Sequence, residues 1–253
     1  MYQNQSGQGL SPQAGNIPSQ PQTTPESKSL NIGEIFSKAI DIIKFNPIII
    51  GVSAVAVLIP LLFSGLGKLI AFLFLAVSKS ALLKYMILLI IQGISFIINI
   101  VILPFLTLLG IQIAEDGYNK TKSDIKNASQ KAFKKLLYGI VASFIYSISV
   151  GIGTILCIVP GVYAAVVMML WPVVIMLEED SGFGIKRSME LIKGNFFFAL
   201  LLGLLFLGVT ILGAVLCVVG VILALPIVWA GLVTFYHLIK IEKEKFQTSA
   251  QPI

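Results

Sequence analysis

From residue 45 onward the chain alternates between long uncharged apolar runs and short polar stretches that hold most of its lysines. A helix needs about 20 apolar residues to cross ~30 Å of hydrocarbon at ~1.5 Å per residue. Runs that meet or approach that length lie near 45–65, 85–114, 136–158, 162–177, 196–218 and 221–239. The last two belong to one apolar block, 196–239. As a single helix it would measure about 66 Å, twice the hydrocarbon thickness, so it has to fold back, and Gly220 is the expected place. The stretch from Cys157 to Gly161 is expected to make the preceding turn, because Pro160 and Gly161 do not continue a helix well. Within 66–83 the chain is apolar only over 69–77, between Lys68 and Lys79. That run is too short to cross. It is expected to extend the first span or to lie as an interfacial helix outside the membrane, with a seventh span as the alternative. The predicted fold class is all-α: a polytopic membrane helix bundle of about six transmembrane helices.

Internal similarity groups these runs. One shift sets Gly153, Leu156, Cys157 and Val159 over Gly213, Leu216, Cys217 and Val219. Another sets Lys38, Asp41, Lys44 and Asn46 over Arg187, Glu190, Lys193 and Asn195. Three units are expected, each a basic amphipathic helix, an outgoing span, a short exterior connection and a return span. In the first amphipathic helix Ile32, Ile35, Phe36, Ala39, Ile40 and Ile43 fall at helical spacing and leave Glu34, Lys38 and Asp41 on the other side. Ile185, Met189 and Ile192 repeat the pattern. Such helices are expected to lie flat at the interface, apolar face toward the bilayer; plain continuations of the spans are the alternative. Gly139, Ser143, Ser147 and Gly151 make a ridge of small residues where a neighbouring span or another subunit can approach closely.

Composition agrees with a bilayer environment. Hydrophobic residues are 57% of the chain, charged residues 12%, and mean hydropathy is +0.93, whereas soluble domains are about a quarter charged. The net charge of +6 sits in clusters beside the spans, which points to the lipid bilayer and its anionic headgroups as the partner and not to nucleic acid. Lys28, Lys38 and Lys44, then Lys120, Lys122, Lys126, Lys131, Lys134 and Lys135, then Lys186, Arg187 and Lys193, and finally Lys240, Lys243 and Lys245 fall on one side of a six-span arrangement. Only Lys68, Lys79 and Lys84 fall on the other, so both termini are expected in the cytoplasm. Residues 1–29 are rich in Gln, Pro and Ser, with no apolar core of a signal peptide, and are expected to be a disordered tail. The membrane domain then covers 30–240 and a short cytoplasmic tail 241–253.

Catalytic chemistry is hard to place in this chain. His237 is the one histidine, expected at the end of the last span, where an imidazole serves as an interfacial polar group. Glu178, Glu179 and Asp180 form the one acidic run, which suits a solvated span terminus as well as an ion site. Asn99 and Gln92 are the deepest strongly polar side chains, expected to hydrogen-bond between helices. No phosphate-binding loop or nucleophile motif is visible, and no catalytic residue, metal ligand or cofactor is expected. The candidate site residues are instead Lys186, Arg187 and Lys193, as a basic group facing lipid. Cys157 and Cys217 are expected at equal depth near the outer face, with or without a bond between them.

Ile158, Val159, Pro160, Gly161 and Tyr163, then Pro172 through Glu178, then Gly184, Arg187, Ser188, Leu191, Gly194, Asn195 and Phe196 together resemble the membrane domain that precedes the catalytic barrel in some bacterial glycerophosphoryl diester phosphodiesterases and that also stands alone in other membrane proteins. The likeness covers roughly 30–240. It implies a bacterial inner-membrane location. No catalytic residue follows from it, because the barrel is a separate domain of some 250 residues and only 241–253 follow the last span.

These readings lead to a non-enzymatic membrane protein that organises lipids or partners, including a second copy of itself or another membrane protein. A permease or channel, or the membrane half of a split phosphodiesterase, is the alternative. Single cysteines introduced at Ser29, Asn127 and Ser249 in a cysteine-free background are predicted to react with an impermeant thiol reagent only from the cytoplasmic side. Exterior reaction at any one of them overturns the orientation.

Overall fold

The computed structural model describes residues 30–77, 80–179 and 182–249. The expected disordered tail, Lys79 and Asp180 lie outside them. Ten helices are present among the described residues: α1 Ile32–Phe45, α2 Ile48–Val77, α3 Ala81–Tyr118, α4 Ile125–Lys134, α5 Leu136–Leu156, α6 Ile158–Val167, α7 Trp171–Leu177, α8 Ile185–Ile192, α9 Phe196–Val215 and α10 Cys217–Ser249. Six segments are long and apolar enough to cross a membrane: Ile48–Ile70, Tyr85–Tyr118, Leu136–Leu156, Ile158–Leu177, Phe196–Val215 and Cys217–Glu244.

The three expected units are visible as three helical hairpins, α2/α3, α5/α6 and α9/α10, each preceded by a short amphipathic helix, α1, α4 or α8. Side-chain caps start two of those short helices: Asn31 accepts from the Gly33 N–H and Asp124 from the Lys126 N–H. The hairpins join at one end, where Ile49, Leu108, Ile111, Leu170, Ile175, Leu202 and Phe235 are fully or almost fully buried. Toward their turns they separate and expose apolar side chains such as Leu62, Phe72, Leu89, Ile155, Leu156, Leu212 and Val215, the surface that acyl chains cover.

Of the two repeat-related turns, the fold-back expected at Gly220 differs in position. The α5/α6 turn falls at Cys157, in extended backbone, and Pro160 lies in the first turn of α6, where no helical N–H is needed. The α9/α10 turn falls at Leu216 and Cys217, the latter at φ +61, a left-handed conformation that costs a non-glycine residue about 1 kcal/mol or more. The glycines act next to the turns. A Cβ on Gly153 would lie 2.8 Å from Gly161, and one on Gly213 would lie 2.8 Å from the Gly220 carbonyl oxygen. Equivalent Gly–Gly contacts therefore let the two helices of each hairpin meet backbone to backbone. Cys157 and Cys217 are exposed, unbonded thiols at these two turns.

Residues 66–77 continue α2 without a break, which agrees with the extension and gives no separate span. Gly67 lies against Ile91 of α3, so the hairpin is still paired where α2 reaches Lys68. Ser53 of α2 donates to the carbonyl oxygen of Ile222, near the start of α10, at 2.6 Å, while Gly110 of α3 lies under Trp229 of α10. From Ser53 to the end of α2 is about 36 Å, and from Ile222 back to the start of α10 about 8 Å. Measured along the helices, α2/α3 thus overhangs the α9/α10 turn by roughly 28 Å.

Packing within the hairpins is predicted to depend on the paired glycines. Gly213→Val, by forcing α9 off α10, is expected to destabilise the protein by about 1–3 kcal/mol in thermal unfolding in detergent. Gly203→Ala, where nothing lies within 4 Å of the added Cβ, is expected to be neutral or slightly stabilising. Equal melting of both variants contradicts the hairpin assignment.

Candidate functional site

Polar side chains gather where the hairpins join. Lys135, between α4 and α5, donates from Nζ to the carbonyl oxygens of Ile175, Met176 and Glu178 at 2.7, 3.2 and 3.1 Å. It closes the C-terminal end of α7, whose last carbonyls lack helical partners and whose dipole favours a cation. Burial pushes the Lys135 ammonium below its usual 10.5, with Glu179 opposing the shift and Lys131 adding to it. The folded protein therefore holds this proton less tightly than the unfolded chain, and this group's contribution to stability rises as pH climbs toward 10.5.

Glu178, just past α7, accepts from the Tyr236 hydroxyl at 2.8 Å and from Arg187 Nε at 3.2 Å. Arg187 also pairs with Glu190 at 3.6 Å. A second carboxylate, Glu115 of α3, lies 2.7 Å from His237 Nε2 of α10 and accepts from Asn119 at 2.8 Å. The His237 ring stacks on Tyr118 with centroids 4.2 Å apart, and the Lys38 ammonium sits 5.8 Å over the same Tyr118 ring. Two polar junctions thus fasten α10 to its neighbours, Glu178 to α7 and α8 and Glu115 to α3. Glu178 and His237, expected as terminal or interfacial polar groups, are both part of these junctions.

The fourth crossing segment is interrupted. Met168–Leu170 form a turn between α6 and α7. Ser188 of α8, fully buried, donates to the Val167 carbonyl oxygen at 3.0 Å and accepts from the Leu170 N–H at 3.1 Å. One hydroxyl thus meets two of the backbone groups at the interruption.

The amphipathic helices do not turn their apolar faces to the bilayer. Ile35, Ala39 and Ile42 of α1 are buried against α3 and α10, and Phe36 meets Phe206 of α9 with ring centroids 5.9 Å apart. In α8, Ser188, Leu191 and Ile192 are buried, whereas Met189 is exposed. Hydrophobic spacing marked the helices but could not tell protein from lipid as the covering surface. Of the three residues expected to face lipid, Lys186 and Lys193 are exposed, and Arg187 is held by Glu178 and Glu190.

The three-unit pattern expects a basic amphipathic helix ahead of the second hairpin, and α4 is that helix, although no residues of 120–135 were assigned to it. Its signals were the Asp124 cap and the i, i+4 pair Ala128 and Ala132, which are buried on α3. Gly139 packs on Leu108 and Pro104 of α3, so the near end of the small-residue ridge serves a neighbouring span. Asn99 bonds to the Ser95 carbonyl of its own helix at 2.7 Å, not across helices. Among the described residues no three of His, Cys, Asp and Glu come together as a metal-holding group.

Six apolar crossing segments and an all-helical architecture define a multi-pass membrane protein. The chain matches no protein-family model, and neither a curated protein nor a solved structure is significantly similar to it. The likeness to the phosphodiesterase membrane domain rests on the residues quoted for it alone.

Ser188→Ala is predicted to leave the Val167 C=O and the Leu170 N–H unpaired in an apolar interior. A destabilisation of about 1–3 kcal/mol is expected for each unmet group, read as a lower melting temperature in detergent, with Ser188→Thr closer to the parent. A Ser188→Ala protein as stable as the parent would show that another group closes the interruption.

Proposed function

We propose that this chain is a non-enzymatic protein of a bacterial inner membrane that gathers anionic lipids, and partners held by them, at a basic cytoplasmic face. The observation that carries the proposal is the set of exposed lysines Lys44, Lys120, Lys122, Lys126, Lys131, Lys134, Lys186 and Lys193, none with a carboxylate at ion-pair distance among the described residues. They flank the end where the hairpins join. Cations left unpaired beside crossing helices suit the negative surface of the cytoplasmic leaflet. Glu115 and Glu178, at the same end, are engaged in holding helices together, which supports a structural role for them over a catalytic one.

A permease is the second reading, favoured by the interrupted fourth segment, since broken helices form the ion sites of many transporters. Here Ser188 already engages one carbonyl and one N–H of the interruption. A split phosphodiesterase is a third reading and requires a separate barrel protein.

The lipid reading predicts that the protein, reconstituted in mixed phosphatidylglycerol and phosphatidylcholine, immobilises spin-labelled phosphatidylglycerol in preference to spin-labelled phosphatidylcholine. High salt, about 1 M, is expected to reduce that preference strongly, because screening shortens to about 3 Å. Equal immobilisation of both lipids at low salt refutes the proposal.

A further inference from the structure

α4 buries Ala128 and Ala132 on α3. At about 100° per residue, its opposite side presents Lys126, Gln130, Phe133 and Lys134. Phe133 is 70% exposed, a large apolar ring on the polar side of a basic helix. Leu137 and Tyr138, four and five residues on at the start of the next span, are 69% and 46% exposed. Tyr138 in turn meets Phe183, with ring centroids 5.9 Å apart. Exposed aromatic rings at the end of a crossing segment suit the headgroup level of a bilayer. Lys126, Lys131 and Lys134 are exposed around the same helix, and its neighbouring acid, Asp124, is turned to the Lys126 N–H as the helix cap. α8 offers less open positive charge, since Arg187 is paired and Glu190 lies beside it.

We propose that α4 is the lipid anchor of the basic face: Phe133 enters the outer acyl region beside α5 while Lys126, Lys131 and Lys134 hold the phosphates of anionic phospholipids. This rests on the proposed lipid-gathering function and assigns it to one helix. An anionic phospholipid fits better than an acidic peptide because Phe133 is followed at the start of α5 by the exposed Leu137 and Tyr138, on a span whose exposed apolar surface lipid already covers. An apolar ring and cations at a single interface also combine burial with charge attraction, the usual basis of stable interfacial anchoring.

The full-length protein carrying Cys157→Ser, Cys217→Ser and Phe133→Cys, labelled with a small environment-sensitive fluorophore, tests the assignment in nanodiscs of phosphatidylglycerol and phosphatidylcholine. The label is expected to be quenched by lipid bearing a nitroxide high on the acyl chain and shielded from aqueous iodide. In the unlabelled protein, Lys126→Gln, Lys131→Gln and Lys134→Gln together are expected to lower the preference for spin-labelled phosphatidylglycerol by about threefold or more, and Lys186→Gln with Lys193→Gln to lower it less. Phe133→Ser is expected to lower it where Phe133→Leu does not. A label open to iodide in the nanodisc, as for a ring reserved for a soluble acidic peptide, overturns the anchor. So does a preference lost with the α8 pair but kept by the α4 triple variant, and then the lipid-gathering function stands without α4. If neither lysine set changes the preference, both the anchor and that function fall.

Discussion

A peptide N–H or C=O without a partner is costly in hydrocarbon, so a crossing segment has to be helical throughout or mended where it is not. The fold is arranged around one such mend. Ser188 supplies an acceptor to Leu170 and a donor to Val167, and to do so α8 has to lie inside the joint and not on the bilayer. That position brings Arg187 within reach of Glu178 and commits Leu191 and Ile192 to the core. The Glu178 junction then fixes Tyr236 and, with it, the middle of α10. The interruption, the burial of α8 and the ionic junction are one linked arrangement.

Around that joint the chain uses the same device three times, a short amphipathic helix followed by a helical hairpin. The short helices differ in how far they enter the protein. α1 and α8 are packed on α10, whereas α4 touches chiefly α3 and keeps most of its surface open. The difference follows from side-chain size. Isoleucine and leucine on α1 and α8 need a deep apolar cover, and the alanines of α4 need only a close approach.

Most of the architecture was legible in the sequence. Apolar length located the six crossing segments, because few other environments tolerate such runs. The repeat of Gly153 and Cys157 at Gly213 and Cys217 located two hairpins. Its two cysteines lie at the turns, whereas the fold-back expected at Gly220 is off by a few residues, since the glycines mark where helices touch and not where the chain reverses. Pro160 was taken for a terminator, though a proline in the first helical turn is harmless. The junctions were not legible: Glu115 with His237, and Glu178 with Tyr236, are far apart in sequence and lie in no local pattern. Ser188 was quoted only as part of a resemblance, and nothing around it signals that its hydroxyl closes a break in a helix that precedes it.

The overhang of α2/α3 beyond the α9/α10 turn has a consequence for the surrounding lipid. Both hairpins present apolar side chains to it, yet α2, at 30 residues, is about 15 Å longer than α9, at 20. A bilayer of one thickness matches only one of them. Either the longer hairpin leans away from the membrane normal or the lipid stretches to follow it, and each ångström of mismatch costs a fraction of a kcal/mol. The apolar wall is therefore taller beside α2 than beside α9, and lipid next to the two hairpins meets different lengths of it.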